Sequence, residues 1–121
     1  MLVLLVEDDA SLRRALARTI RLASYKVEAF ESVEALLAHG VPAQGACLVL
    51  DVGLPGIGGI AFKRTLIQTG HDLPAIFITA LEPGEVSEAL AALRAVAVLY
   101  KPFNKHELVE AIRQAQASGQ S

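Results

Sequence analysis

The feature that most constrains this chain is the recurrence of short apolar runs between stretches of helical periodicity. The runs are Leu2–Val6, a weaker Val27–Phe30, Ala46–Leu50, Ala75–Thr79 and Val98–Tyr100. Runs this apolar suit strands covered on both faces, as in a parallel sheet sandwiched by helices. Strand and helix alternate five times. That order implies an α/β fold, a doubly wound (βα)5 sheet of five parallel strands joined by right-handed crossovers.

The helical segments carry their own signals. In S-L-R-R-A-L-A-R-T-I-R-L-A, Leu12, Leu16, Thr19, Ile20 and Ala23 share one face. Arg13, Arg14, Arg18 and Arg21 point elsewhere and read as a solvent face. Ser32 is an N-cap candidate for a second helix, Val33–His39. A third is expected over 59–69. A fourth is expected from Pro83 to Ala95, since proline suits a first helical position. Asn104 with Glu107 three residues on forms a capping-box pattern opening the last helix, Lys105 to Ala117. Its inward stripe is Leu108, Ile112 and Ala115. Residues 1–117 therefore read as one domain, and the small polar residues 118–121 as a tail or the start of a linker.

At 121 residues and 53% hydrophobic, the chain can build a substantial core. A net charge of −2 gives no basic surface for nucleic acid. No apolar stretch approaches the ~20 residues of a membrane span. A start without a basic segment reads as a first strand rather than a signal peptide. Cys47, the one cysteine, has no disulfide partner within the chain and reads as a small core residue. A reduced, cytoplasmic setting is expected.

In open parallel sheets ligands bind at the carboxyl ends of the strands. The residues there are Glu7, Asp8 and Asp9 after the first run and Asp51 after the third. Thr79 ends the fourth run, and Lys101 and Pro102 follow the fifth. Acids converging at one edge repel unless a cation joins them. An oxygen donor set with water suits magnesium. The first loop, E-D-D-A-S, has no glycine to cradle a dinucleotide, and no Walker motif is present. A carboxylate nucleophile, a metal, a hydroxyl and a lysine are the parts that phosphoryl transfer to aspartate needs. Asp9 is better placed to cap the first helix than to bind the metal.

The motifs V-E-D-D, L-D-V-G-L-P-G, I-T-A and Y-K-P-F occur in this order, with Asp8, Asp51, Thr79 and Lys101 spaced 43, 28 and 22 residues apart. In this the chain resembles the receiver domain of two-component response regulators, the CheY-like proteins of flavodoxin-like fold, over roughly residues 2–114. The resemblance implies strand order 2-1-3-4-5. It makes Asp51 the phosphoacceptor, with Thr79 and Lys101 contacting the phosphoryl group and Tyr100 a switch residue alongside Thr79. It gives Glu7, Asp8, Asp51 and the Gly53 carbonyl to magnesium, or to manganese in its place. It implies a cis peptide before Pro102. It further implies a sensor histidine kinase or phosphotransfer protein as donor, a homodimer formed on phosphorylation, and a C-terminal output domain outside this chain. The only chemistry implied is the protein's own phosphorylation and dephosphorylation, which is not enzyme turnover. E-S-V-E-A-L-L-A and F-I-T-A resemble the FixJ-like nitrogen-fixation regulators, whose output is a helix-turn-helix and therefore transcriptional.

Two departures stand out. A-V-A-V (95–98) places Val96 where a glycine of positive φ is expected to end the fourth helix, so that helix should end differently. Gly56, Gly58 and Gly59 should make the loop after Asp51 flexible. Two other readings stay open: a phosphate-independent interaction module on a degenerate receiver fold, and an aspartyl-phosphate phosphatase. The phosphatase lacks its second aspartate, because Gly53 stands there. His39, His71 and His106 read as surface residues.

Overall fold

The computed structural model describes residues 1–81, 84 and 87–119. Five strands, β1 (Leu2–Val6), β2 (Lys26–Phe30), β3 (Ala46–Asp51), β4 (Ala75–Thr79) and β5 (Ala97–Tyr100), form one parallel sheet in the order β2-β1-β3-β4-β5. Five helices intervene: α1 (Ala10–Leu22), α2 (Val33–His39), α3 (Gly59–Gln68), α4 (Ser87–Ala92) and α5 (Lys105–Gly119). The expected doubly wound sheet is present, with the strand order that the resemblance implied.

The apolar runs are explained by two cores, one on each face. Side chains alternate across a strand, so even and odd positions feed different layers. Leu4, Val6, Leu48, Leu50 and Phe77 pack with Val33 and Leu36 of α2, Phe62 and Leu66 of α3, and Leu90 of α4. Val3, Leu5, Val49, Ile76 and Ile78 pack with Leu16, Ala17 and Ile20 of α1 and with Leu108, Ala111, Ile112 and Ala115 of α5. The expected stripe of α5 is buried in full. On α1 the inward face is narrower than the pattern suggests: Ala17 is buried, while Thr19 and Ala23 are half-exposed. Cys47 lies in the core, and burial pushes its thiol up to about 12.

The caps follow the side-chain chemistry. Asp9 Oδ1 accepts from the Leu12 amide at 2.9 Å, and Ser32 Oγ from Ala35 at 3.0 Å. Asn104 and Glu107 exchange the two bonds of a capping box. The predicted opening of α4 at Pro83 lies outside the described residues. Its end is corrected: the helix stops at Ala92, and the left-handed residue is Arg94 (φ 56), two positions before Val96. The Arg94 and Ala95 amides donate to Ala91 and Leu90. That is the Schellman closure that Gly70 makes for α3 and Ser24 for α1. Val96 is spared the strain; its amide donates to the Ala75 carbonyl at 2.8 Å.

A second ionic cluster lies on α3. Lys63, 2% exposed, donates to Asp72 Oδ1 at 2.7 Å and to the Leu73 carbonyl. Arg94 donates to Asp72 Oδ2 at 2.7 Å. The Lys63 hydrogen bond holds the Asp72 carboxyl below its ordinary range. The sequence pattern did not single out this cluster.

Candidate functional site

The register brings the predicted residues together. Val6 pairs with Leu50, so Glu7 and Asp51 each stand one residue further along adjacent strands. Asp51 pairs with Ile78, and Thr79 with Tyr100, which sets Thr79 and Lys101 one step beyond. Glu7, Asp51 and Thr79 are all buried, at 1%, 6% and 1% exposure. Asp8 is exposed. One oxygen from each of Glu7, Asp8 and Asp51 lies within 4.8 Å of the others. Among the described residues this is the one acidic, histidine or cysteine cluster with that geometry, and none of the three histidines joins it.

Lys101 answers part of this charge. Its Nζ donates to Asp51 Oδ2 at 2.9 Å and lies 3.4 Å from Glu7 Oε1. The Gly53 amide donates to Asp51 Oδ1 at 2.8 Å. Burial opposes ionisation of Asp51, but bonds from Lys101, Gly53 and Glu7 outweigh it and hold the carboxyl below its ordinary value. Glu7 behaves oppositely. Burial, only partly offset by the Asp9 amide, and the nearby Asp51 push it up to about 7. Burial opposes the charge on Lys101 as well, but Asp51 and Glu7 raise its pKa overall. Three carboxylates thus face one ammonium. The donors are all oxygen, and the residues fit a hard divalent cation.

Thr79 Oγ1 accepts from the Leu81 amide at 3.0 Å, and the Thr79 carbonyl accepts from the Lys101 amide at 2.8 Å. Tyr100 is half-buried. The Lys101–Pro102 peptide is cis, as expected. Arg13 corrects the reading of α1 as carrying only a solvent face of arginines. Its Nη1 donates to the Glu7 carbonyl at 2.9 Å and ties α1 to the site strand.

The glycine loop meets Asp51 at both of its ends. Of its glycines, Gly56 has positive φ (+70). Gly59 serves a close approach, since a Cβ there would lie 2.8 Å from the Asp51 carbonyl oxygen. Both ends of the loop are packed on Asp51 itself.

A model of the response regulator receiver domain matches residues 3–113. Nodulation protein W of Bradyrhizobium diazoefficiens is 38% identical over 92% of this chain and 49% of its own length. Among solved structures, the response regulator StyR is 34% identical with a TM-score of 0.90, covering 98% of this chain and 60% of StyR. FixJ-N is 28% identical with a TM-score of 0.87, covering 96% of this chain and 93% of FixJ-N. The chain spans about half the length of the first curated relatives it matches. Among the described residues no helix is long and apolar enough to cross a membrane. With sheet order, acidic edge and sequence all agreeing over nearly its whole length, the chain belongs to the response regulator receiver domain family.

Proposed function

We propose that Asp51 accepts a phosphoryl group from the phosphohistidine of a sensor kinase or phosphotransfer protein, and that this switches the surface of α4, β5 and α5. The observation that carries the reading is a buried aspartate held ionised by Lys101 beside two further acids. An Asp51 carboxylate oxygen forms the new bond to phosphorus. The phosphorus–nitrogen bond to the donor breaks, and the imidazole leaves with its electron pair and takes up a proton. Lys101 then turns from Asp51 to a phosphoryl oxygen. The Thr79 hydroxyl, freed from the Leu81 amide, donates to another. Tyr100, level with Thr79 on the next strand, follows the space that Thr79 vacates. Glu7, Asp8, Asp51 and the Gly53 carbonyl would hold magnesium, which when bound neutralises phosphoryl oxygens.

The protein's chemistry is confined to gaining and losing this group. Relatives about twice its length support a further output segment in the same polypeptide. The resemblance to nitrogen-fixation regulators supports a transcriptional output and a dimer formed on phosphorylation, in the cytoplasm. The test is incubation with magnesium and a small-molecule phosphodonor, followed by intact-mass analysis. A single phosphoryl adduct should form and should vanish in Asp51→Asn. Absence of the adduct, or its survival in that variant, would overturn the reading.

A further inference from the structure

The loop from 52 to 58 joins Asp51 to α3, and its two ends rest on Asp51. The Gly53 amide donates to Oδ1, and the Gly59 backbone packs against the Asp51 carbonyl. Between these ends Leu54 is anchored in the core. The next stretch, 55–58, holds a proline, two glycines and the exposed Ile57. Gly58, the N-cap of α3, brings no side-chain cap. Pro55 fixes one φ in this stretch, and the side chain that meets the turn at Gly56 and Ile57 comes from α2. Glu34 Oε2 lies 3.4 Å from the Ile57 amide as its acceptor. It also fills the space where a Cβ on Gly56 would stand, at a residue already in the left-handed region. A glycine there lets the carboxylate close on the backbone, and the carboxylate in turn fixes the turn.

We infer that Glu34 is a positioning residue for the phosphoacceptor site: it clamps the 55–58 turn and so sets the Gly53 segment against Asp51. The inference rests on the phosphoacceptor reading for its purpose, but its geometry stands apart from it. The competing explanation is that Glu34, an acid in the first turn of α2, serves only the helix dipole. The two differ in what a glutamine does. Glutamine keeps an acceptor for the Ile57 amide and loses the charge.

The experiment is a magnesium titration followed by the amide resonances of Gly53 and Gly59, with hydrogen exchange of residues 52–58 in metal-free protein. Glu34 is exposed, so its substitutions should leave the fold intact. Glu34→Ala should weaken magnesium binding roughly three- to tenfold, the scale of one lost hydrogen bond, and speed exchange across the turn. Glu34→Gln should stay within about twofold of wild type. The inference is overturned if Glu34→Ala leaves affinity and exchange unchanged, or if Glu34→Gln behaves as Glu34→Ala does. Phosphoryl uptake by wild type is measured alongside. If wild type binds magnesium but takes up no phosphoryl group, the phosphoacceptor reading fails and the clamp does not.

Discussion

Two clusters in this molecule place a lysine against carboxylates, and their charge balances are opposite. At the sheet edge, Lys101 alone faces Asp51, Glu7 and Asp8. On α3, Lys63 and Arg94 share the single carboxylate of Asp72, and the Leu73 carbonyl takes a further Lys63 proton. The second set is complete in itself. The first sets three acids against one ammonium, and Glu7 is pushed up to about 7 by its burial and, after that, by the nearby Asp51. A cluster that satisfies itself is a brace. A buried cluster left short of a cation is poised to take one up, together with an anionic group for Lys101 to meet.

The sharpest way to break this comparison is to remove each lysine in turn. Lys101→Met should lower the rate of phosphoryl uptake by about 100-fold or more, the scale of losing one preorganised cation at developing charge. Stability with magnesium present should hardly change. Lys63→Met should do the reverse. It strips the buried Leu73 carbonyl of its donor, which costs about 1–3 kcal/mol in urea unfolding. Uptake should stay within about threefold of wild type, since no group near Asp51 is touched. If both variants lost activity and stability together, the division into brace and site would be wrong.

Glu7 gives the next effect. In metal-free protein its folded pKa of about 7 exceeds the unfolded 4.5. Between those values the native state holds a proton that the unfolded chain has released, so stability falls as pH rises from 4.5 to 7. Below 4.5 and above 7 this contribution is flat. The drop is on the order of 3–4 kcal/mol, at ~1.4 kcal/mol per pH unit. Glu7→Gln should remove most of it and leave metal-free protein at pH 8 more stable than wild type. Saturating magnesium should remove it from wild type, by holding Glu7 ionised in the folded state. A pH-independent wild-type stability across this window would place the missing charge elsewhere.

The sequence showed these two clusters unequally, for a physical reason. Glu7, Asp51 and Lys101 each follow an apolar run directly, Thr79 ends one, and strand ends in a parallel sheet share one edge. Their meeting is therefore implied by order along the chain. The cluster at Lys63 and Asp72 has no such marker. Lys63 stands among Phe62, Arg64 and Thr65 and reads as the polar face of α3, although it buries its stem and finds an acceptor at the loop. Arg13 was likewise hidden among four arginines of one helix. Glu34 meets Ile57 across 23 residues, a contact that no local pattern encodes. The sequence marks no end for α4 before Ala95, because it offers no glycine there. The chain takes the left-handed turn at Arg94 instead, where the guanidinium reaches Asp72.

That last residue gives the smallest effect and the finest test of the brace. Arg94 holds a left-handed φ of 56, a conformation that costs an L-residue about 1–2 kcal/mol. Its ion pair with Asp72 is largely solvent-exposed, at 67% and 42%, and contributes no more than about 1 kcal/mol. Arg94→Gly relieves the backbone but loses the pair and loosens the unfolded chain, by about 0.4–1 kcal/mol. These terms nearly cancel, so its unfolding midpoint should match wild type closely. Arg94→Ala keeps the strained backbone and loses the pair, so it should be the less stable variant by about 1 kcal/mol. Equal stability of the glycine and alanine variants would show that the turn at 94 costs no more than glycine's added unfolded-chain freedom, about 0.4–1 kcal/mol. Glycine and alanine variants both well below wild type would show that the Arg94–Asp72 contact, rather than the backbone, holds the end of α4.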